Sequence, residues 1–267
     1  MQAVVRQSPV SLQDVVIHFY PVDLHGFLGR LSARSVLSDR ERDAILALPT
    51  ERQLIRAKHD IVQLKEEVDH SCYVAAGLVA RFSLVRSGAR QIVALHLPGD
   101  MADLHSAVRP IGLGGLTALC DCTILRIPHD PIRALGARYP AVAEALWRDC
   151  MLDAAILMEW LSNLGRRGAA ARVAHLICEL SLRYGRDKGM LTQFDLPITQ
   201  EQVSDVLGLT GVHINRSLRT LREIELVTFS KGRVEIGDLP ALMRLAEFDP
   251  AYLVADTAPK RQKRLFE

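Results

Sequence analysis

A chain of 267 residues, 49% hydrophobic and 24% charged, is long enough for two cores and should fold as a soluble globular protein. No run approaches the roughly 20 apolar residues of a membrane span. The opening MQAVVRQSPVSLQD lacks an apolar signal core with a cleavage site, so a cytoplasmic location with no membrane partner is expected. Five scattered cysteines (Cys72, Cys120, Cys122, Cys150 and Cys178) form an odd set, which suits a reducing compartment and argues against a disulfide framework. The net charge of +2 is unevenly placed: from Gly165 onward stand 16 Lys and Arg against 13 Asp and Glu, leaving 17 against 18 before it. The second half permits a polyanionic partner.

In chain order, residues 38–48 (SDRERDAILAL) read as a short helix closed by Pro49. From residue 53 to 127 come short apolar runs (QLIRA, DIVQL, CYVAAGLVARFSLV, RQIVALHL, DCTILRI) broken by Gly, Pro, Asp and Ser. They predict a small antiparallel β sandwich or barrel, with a hairpin turn at Ser87-Gly88 and a corner at Pro98-Gly99-Asp100. After Pro131 the period lengthens. Residues 139–164 read as one long helix, with Val142, Leu146, Leu152, Ile156 and Leu164 among its apolar positions. It packs on its own β domain or pairs with its twin in a dimer; Asp149 and Asp153 interrupt the stripe, so no clean heptad decides. Gly165-Arg166-Arg167-Gly168 reads as a hinge and residues 169–184 as another amphipathic helix, followed by the loop GRDKGMLTQFDLP.

The stretch ITQEQVSDVLGLTGVHINRSLRTLRE then holds two short helical patterns. Thr199 and Gln202 make a capping-box pair, Val203, Val206 and Leu207 supply a buried face, and Gly208 ends the first helix. Thr210 caps the second. Two short helices across a glycine turn match a helix-turn-helix. With Arg216 set to zero, Ile214, Leu218 and Leu221 fall at about 160°, 200° and 140°, one apolar face opposite the arginine. Val212, His213 and Arg219 share the side of Arg216, with Asn215, Ser217 and Arg222 at the flanks. Arg pairs bidentately with guanine, Asn and Ser bond bases or phosphates, and an outward Val212 suits a thymine methyl. LVTF, SKG and RVEI follow as a β-hairpin with a basic tip, which makes a winged helix. The second helix is therefore expected in a DNA major groove.

With a β domain, long helix, hinge and winged helix in that order, the chain from roughly residue 38 to 253 resembles the Crp/Fnr family of bacterial transcription regulators. The phrases LPITQEQVSDVLGLTGVHINRSLRTLRE, LHLPGDMADLH and LAEFDPAYL carry the likeness, which looks like the branch whose recognition helix runs VHxNRxLRxLR. The resemblance implies an α+β chain: an amino-terminal extension (1–37), a cyclic-nucleotide-binding-like β-roll (38–137), a dimerisation helix (138–165), a winged helix-turn-helix (166–253) and a tail (254–267). It implies a homodimer on a two-fold symmetric operator in double-stranded DNA, RNA polymerase as a protein partner, no enzymatic activity and no cofactor. Arg216 matches the family's base-reading arginine, with Gly211, Val212 and His213 contributing at the helix start. Gln200 sits where members touch a phosphate, and Thr210, Ser217, Arg219, Lys231 and Arg233 join it as phosphate contacts. Val212 stands where well-known members place a glutamate, and Gly211 where some place an arginine. A carboxylate accepting from cytosine is missing, so the family's best-known half-site is not expected.

Members that bind cyclic nucleotides carry a Gly-Glu turn and an Arg-Ser/Thr-Ala phosphate cradle. Here the counterparts are Gly99-Asp100 and Leu116-Thr117-Ala118. Leucine cannot neutralise a cyclic phosphate, so cyclic AMP binding by the usual mode is not expected, and the effector, placed near Gly99, Asp100, Leu116 and Thr117, stays unidentified. Oxygen-sensing members hold an iron–sulfur cluster on amino-terminal cysteines, and none occurs here before Cys72. His59, His70, His96 and His105 read as structural, and Cys120-Asp121-Cys122 as core cysteines on one side of a strand. A cupin-type metal enzyme, the competing reading, needs a His-x-His pair that the chain lacks, and it leaves the winged helix unexplained. A pure protein-interaction module does not account for the outward Arg, Asn and His.

Overall fold

The structure, a computed structural model of the chain, describes residues 23–112 and 114–253. Two short helices lead, α1 (His25–Ser32) and α2 (Asp39–Leu46). The strands β1 (Glu51–Ile55), β2 (Asp60–Val62), β3 (His70–Ala76), β4 (Val79–Leu84), β5 (Arg90–His96), β6 (Gly115–Ala118) and β7 (Cys122–Pro128) follow. Then come α3 (His129–Arg138), α4 (Pro140–Arg166) and α5 (Ala169–Gly185). The chain continues through β8 (Gln193–Asp195), α6 (Gln200–Leu207), α7 (Gly211–Glu223), β9 (Val227–Ser230), β10 (Arg233–Ile236) and α8 (Leu239–Ala246). The expected tail, 254–267, and residues 1–22 of the expected extension lie outside the described residues.

Strands β1 to β7 make two antiparallel sheets, in the orders β1-β7-β3 and β2-β6-β4-β5. Strand alternation decides what each face buries. Cys72, Val74, Cys122 and Ile124 turn inward against Val62, Val79, Leu116 and Ala118 of the facing sheet, forming the β-roll interior. Tyr73, Leu125 and Ile127 point the opposite way and are covered by Phe27, Leu31, Ile45 and Val142. The described part of the expected extension contributes to this outer layer through Leu24, Phe27, Leu28 and Leu31, with Phe27 and Leu31 at 1% and 2% exposure.

The helix α4 carries Pro140 in its first turn and extends for 27 residues, roughly 40 Å. Its buried positions, among them Val142, Ala145, Asp149, Leu152, Ile156 and Trp160, recur every three or four residues. Asp149 belongs to this stripe because Arg30 of α1 meets it there. The Arg30 guanidinium donates through Nε to Asp149, through Nη1 to Asp100 at 2.7 Å and through Nη2 to Asp153 at 2.9 Å. Arg183 of α5 also donates to Asp100, at 3.0 Å, and to Glu179 at 2.9 Å. Glu179 in turn accepts from the Trp160 indole at 2.8 Å and the Tyr252 hydroxyl at 2.9 Å. A buried run of charges therefore joins α1, the corner at Asp100, α4 and α5.

The expected hinge is narrower than the sequence suggests. Helix α4 continues through Gly165 and Arg166, and only Arg167 and Gly168 are extended before α5 begins. Arg167 is braced there by Glu159 at 2.8 Å and by the carbonyl of Glu247 at 3.1 Å. One apolar core runs on from β4 and β5 through α4 and α5 to α8.

Candidate nucleic-acid interface

Local chemistry sets the helix pair. Thr199 Oγ1 accepts from the Gln202 amide at 3.2 Å while Gln202 Oε1 accepts from the Thr199 amide at 2.8 Å, the reciprocal capping box that starts α6. Gly208 ends it with φ of 59° and ψ of 35°, the left-handed conformation that glycine adopts without strain. Thr210 then caps α7, accepting from the His213 amide at 3.4 Å, and its hydroxyl lies 3.1 Å from His213 Nδ1.

The buried seam of α7 consists of Ile214, Ser217 and Leu221, with Leu218 half-buried. Ser217 is 4% exposed, which corrects its assignment as a phosphate contact. It stands three residues after Ile214 and four before Leu221, on the same side of the helix, and a small residue there lets α7 approach its neighbours. Relative to the aliphatic face counted from sequence, the buried centre is turned by roughly 30° towards Ser217. The outward centre moves to Val212 and Arg219, with Arg216 to one side. Gly211, Val212, His213, Asn215, Arg216, Arg219 and Thr220 are all exposed, Val212 at 68%. Gln200 is exposed at the first turn of α6.

The hairpin of β9 and β10 turns through Lys231 and Gly232, both at positive φ, and β8 adds a third strand in the order β8-β10-β9. Lys231 is exposed at the tip. Arg233 is about half exposed and leans on its own sheet, 3.1 Å from Gln193, 3.7 Å from Asp195 and 3.6 Å from Glu235. Two side chains that sequence reasoning missed hold the far end of α6. Gln91, on the strand after the Ser87-Gly88 turn, donates to the carbonyls of Asp205 at 2.7 Å and Val206 at 3.1 Å, and Arg172 to that of Leu207 at 3.4 Å. These last-turn carbonyls have no partner within the helix. The contacts span long stretches of sequence and leave no local signal.

Of the four residues placed near an effector, Asp100, Leu116 and Thr117 are buried. Leu116 and Thr117 are 1% and 2% exposed on β6, and the Thr117 hydroxyl donates to the His59 carbonyl at 3.3 Å. Asp100 accepts from the Leu97 amide at 2.8 Å and, against the effect of its burial, is held at about 2 by Arg30 and Arg183. Of the four, Gly99 lines the cavity that also includes Arg52, Tyr73 and Arg186. Among the described residues no three His, Cys, Asp or Glu side chains are grouped to hold a metal ion, and no helix is long and apolar enough to cross a membrane.

Comparison with known proteins places this geometry. The model of the Crp-like helix-turn-helix domain matches residues 171–245. Over 245 residues the chain is 28% identical to the nitrogen fixation regulation protein FixK of Azorhizobium caulinodans, covering 87% of this chain and 97% of that protein. It is 25% identical over 200 residues to the transcriptional activator protein FnrL of Cereibacter sphaeroides, 73% of this chain and 79% of that one. The solved structure of FixK2 from Bradyrhizobium japonicum is similar with a TM-score of 0.67 at 25% identity, covering 74% of this chain and 98% of that chain. A transcriptional regulator of the CRP family from Thermus thermophilus shares the fold, with a TM-score of 0.56 at 20% identity over 77% of this chain and 100% of that one.

Proposed function

Since the chain belongs to the Crp/Fnr family of DNA-binding transcription regulators, we propose that it acts as a homodimer on a two-fold symmetric operator, laying one α7 from each subunit into a major groove. The observation that carries this reading is the outward arc of α7, where His213, Asn215, Arg216 and Arg219 stand exposed behind a doubly capped turn. Arg216, with Gly211, Val212 and His213, reads bases; Gln200, Thr210, Arg219, Lys231 and Arg233 contact phosphates. The wing tip at Lys231 is the freer of the two basic wing residues, because Arg233 already shares its charge with Asp195 and Glu235.

The second stripe on α4 supports the dimer. Trp147, Met151, Ala154, Met158 and Leu161 follow one another at intervals of four, three, four and three residues. Met151, Met158 and Leu161 are 64%, 63% and 71% exposed. That is the spacing of a coiled-coil seam, separate from the buried stripe that faces the subunit's own core. RNA polymerase is the expected protein partner. The β-roll is read as not using cyclic AMP by the usual mode, since Leu116 fills its interior.

Selection of sites from a random duplex pool, with purified protein and no added ligand, tests the reading. The expected product is a symmetric site whose halves lie about one helical turn apart, roughly 34–36 Å. An asymmetric site, or a monomer in sedimentation, would overturn the homodimer. Arg216→Ala is expected to cost about 1–3 kcal/mol and relax specificity at one base. An unchanged site preference removes Arg216 from direct readout.

A further inference from the structure

A cavity of about 360 Å³ opens where three parts of the fold meet: the outer face of the sheet β1-β7-β3, the start of α1 and the turn that follows α5. Arg52, Tyr73 and Thr123 line it from the sheet, and Gly26, Gly99 and Arg186 from the other sides. Arg52 and Tyr73 are both registered opposite Leu125, so they belong to the face turned away from the β-roll interior. The cavity is therefore separate from the space in which Leu116 and Thr117 are buried.

Its size is that of a small-molecule site, and its lining is cationic. Neither Arg52 nor Arg186 has an ion-pair partner among the described residues. Arg183, which also reaches the wall, is already balanced by Asp100 and Glu179. Among the described residues Asp23 is the one carboxylate on the lining, and it is turned to His25 Nδ1 at 2.8 Å. The position of Arg186 is built into the backbone. It follows α5 at φ of 43°, a conformation that L side chains rarely adopt. Its guanidinium lies against the α-carbon of Gly99, in the space that a Cβ would need. Any side chain at Gly99 would displace the guanidinium.

We propose that this cavity binds a small organic anion, its carboxylate or phosphate held by Arg52 and Arg186 and its body lying against Tyr73 and Thr123. Each guanidinium offers a planar fork of donors that suits either group. Resting on the DNA-binding reading above, such a ligand touches both the β-roll and the turn leaving the first helix of the DNA-binding half. Its occupancy is then coupled to DNA affinity.

Calorimetric titration of the full-length, DNA-free protein with pyrophosphate, inorganic phosphate and succinate, at constant ionic strength set with sodium chloride, tests the binding itself. Saturable heat from at least one probe is expected, and the arm that gives it separates a phosphate-bearing from a carboxylate ligand. Arg52→Gln with Arg186→Gln should weaken binding by about tenfold or more, whereas Arg216→Gln with Arg219→Gln should leave it unchanged. No saturable heat from any probe would overturn the proposal. So would binding that survives the cavity variant and disappears in the α7 variant. Arg52→Gln alone, at an exposed strand position, gives the same readout if the double variant fails to fold. With DNA absent from the assay, failure here leaves the DNA-binding reading standing, and failure of site selection leaves this result standing.

Discussion

Arg30→Met removes one guanidinium that serves three carboxylates: Asp149, Asp100 at 2.7 Å and Asp153 at 2.9 Å. The arginine is 10% exposed and these partners 2%, 8% and 24%, so water does not replace the lost charge. Methionine keeps much of the packed stem, which makes the loss chiefly electrostatic. Removing one partner of a buried pair costs about 3–5 kcal/mol, and Arg183 still balances Asp100, which keeps the figure in that range. For a chain of this size that lowers Tm by roughly 6–20 °C. The pH dependence is a sharper signature. Burial raises the Asp149 carboxyl and lifts Asp153 to about 6 even with Arg30 present. Without Arg30 both rise further above their unfolded value, so the folded variant takes up protons that the unfolded chain does not. Its stability should therefore increase as pH falls from about 7.5 to 5.5, by up to about 2.7 kcal/mol for each carboxyl protonated over that interval. Asp100 in the wild type works in the other sense: its contribution is present above the ordinary carboxylate range and is lost only towards about 2, below this window. Urea unfolding at fixed protein concentration, followed by the fluorescence of tryptophan, measures the loss, because Trp160 is buried in α4 beside the network. A loss under about 1 kcal/mol, or an equal loss at both pH values, would refute the reasoning. Adding Asp149→Asn and Asp153→Asn to Arg30→Met should recover most of the stability.

Arg219→Ala should weaken binding to all DNA sequences alike and reduce the slope of log K against log salt by about 1, measured by fluorescence anisotropy across a salt series. A sequence-selective loss would instead move Arg219, which stands at the outward centre of α7, into base readout. Ser217→Leu overfills the seam between Ile214 and Leu221 and should cost about 1–3 kcal/mol in unfolding without DNA; a neutral result would mean that the seam is not close-packed there. Gln91→Ala deletes the bonds to the carbonyls of Asp205 and Val206. At about 1 kcal/mol each, it should cost about 1–2 kcal/mol and speed amide exchange in α6, and unchanged exchange would show that the β4–β5 hairpin does not brace that helix.

The features of the DNA-facing half that the sequence made legible are those whose chemistry is local. Thr199 finds Gln202 three residues on, Thr210 finds His213 at the same interval, and Gly208 supplies its own left-handed turn. The seam of α7 was readable only to within roughly 30°, because apolar counting registers aliphatic residues and not a serine buried for its smallness. Helix α1 was hidden for a different reason. HGFLGRLS holds two glycines in eight residues, so what makes it helical is the packing of Phe27, Leu28 and Leu31 and not propensity. Asp149 and Asp153 looked like breaks in a stripe because their partner Arg30 lies 119 and 123 residues away. Of the two readings of α4 that the sequence left open, packing on its own chain is seen on one face, and the proposed dimer pairing rests on another. Its buried stripe is occupied by the subunit's own core, and its exposed stripe carries the heptad spacing.

The cavity and the buried charge network meet at the dipeptide Gly99-Asp100 and at Arg183, which belongs to both. Gly99 supports the Arg186 guanidinium on the cavity side, while the neighbouring carboxylate of Asp100 is shared by Arg30 of α1 and Arg183 of α5. The corner has little freedom of its own. Asp100 accepts from the Leu97 amide at 2.8 Å and its own amide donates back to the Leu97 carbonyl at 3.0 Å, while the Gly99 amide donates to the Val74 carbonyl at 2.7 Å. A displacement imposed on Gly99 is therefore not absorbed in a loose loop. The corner is bonded through Arg30 to Asp149 and Asp153 on α4, and through Arg183 to Glu179 on α5. Since the same α4 carries the proposed dimer seam, in the proposed homodimer a shift at this corner would act on the helix that sets the spacing between the two copies of α7, and operator fit would be the property most sensitive to it.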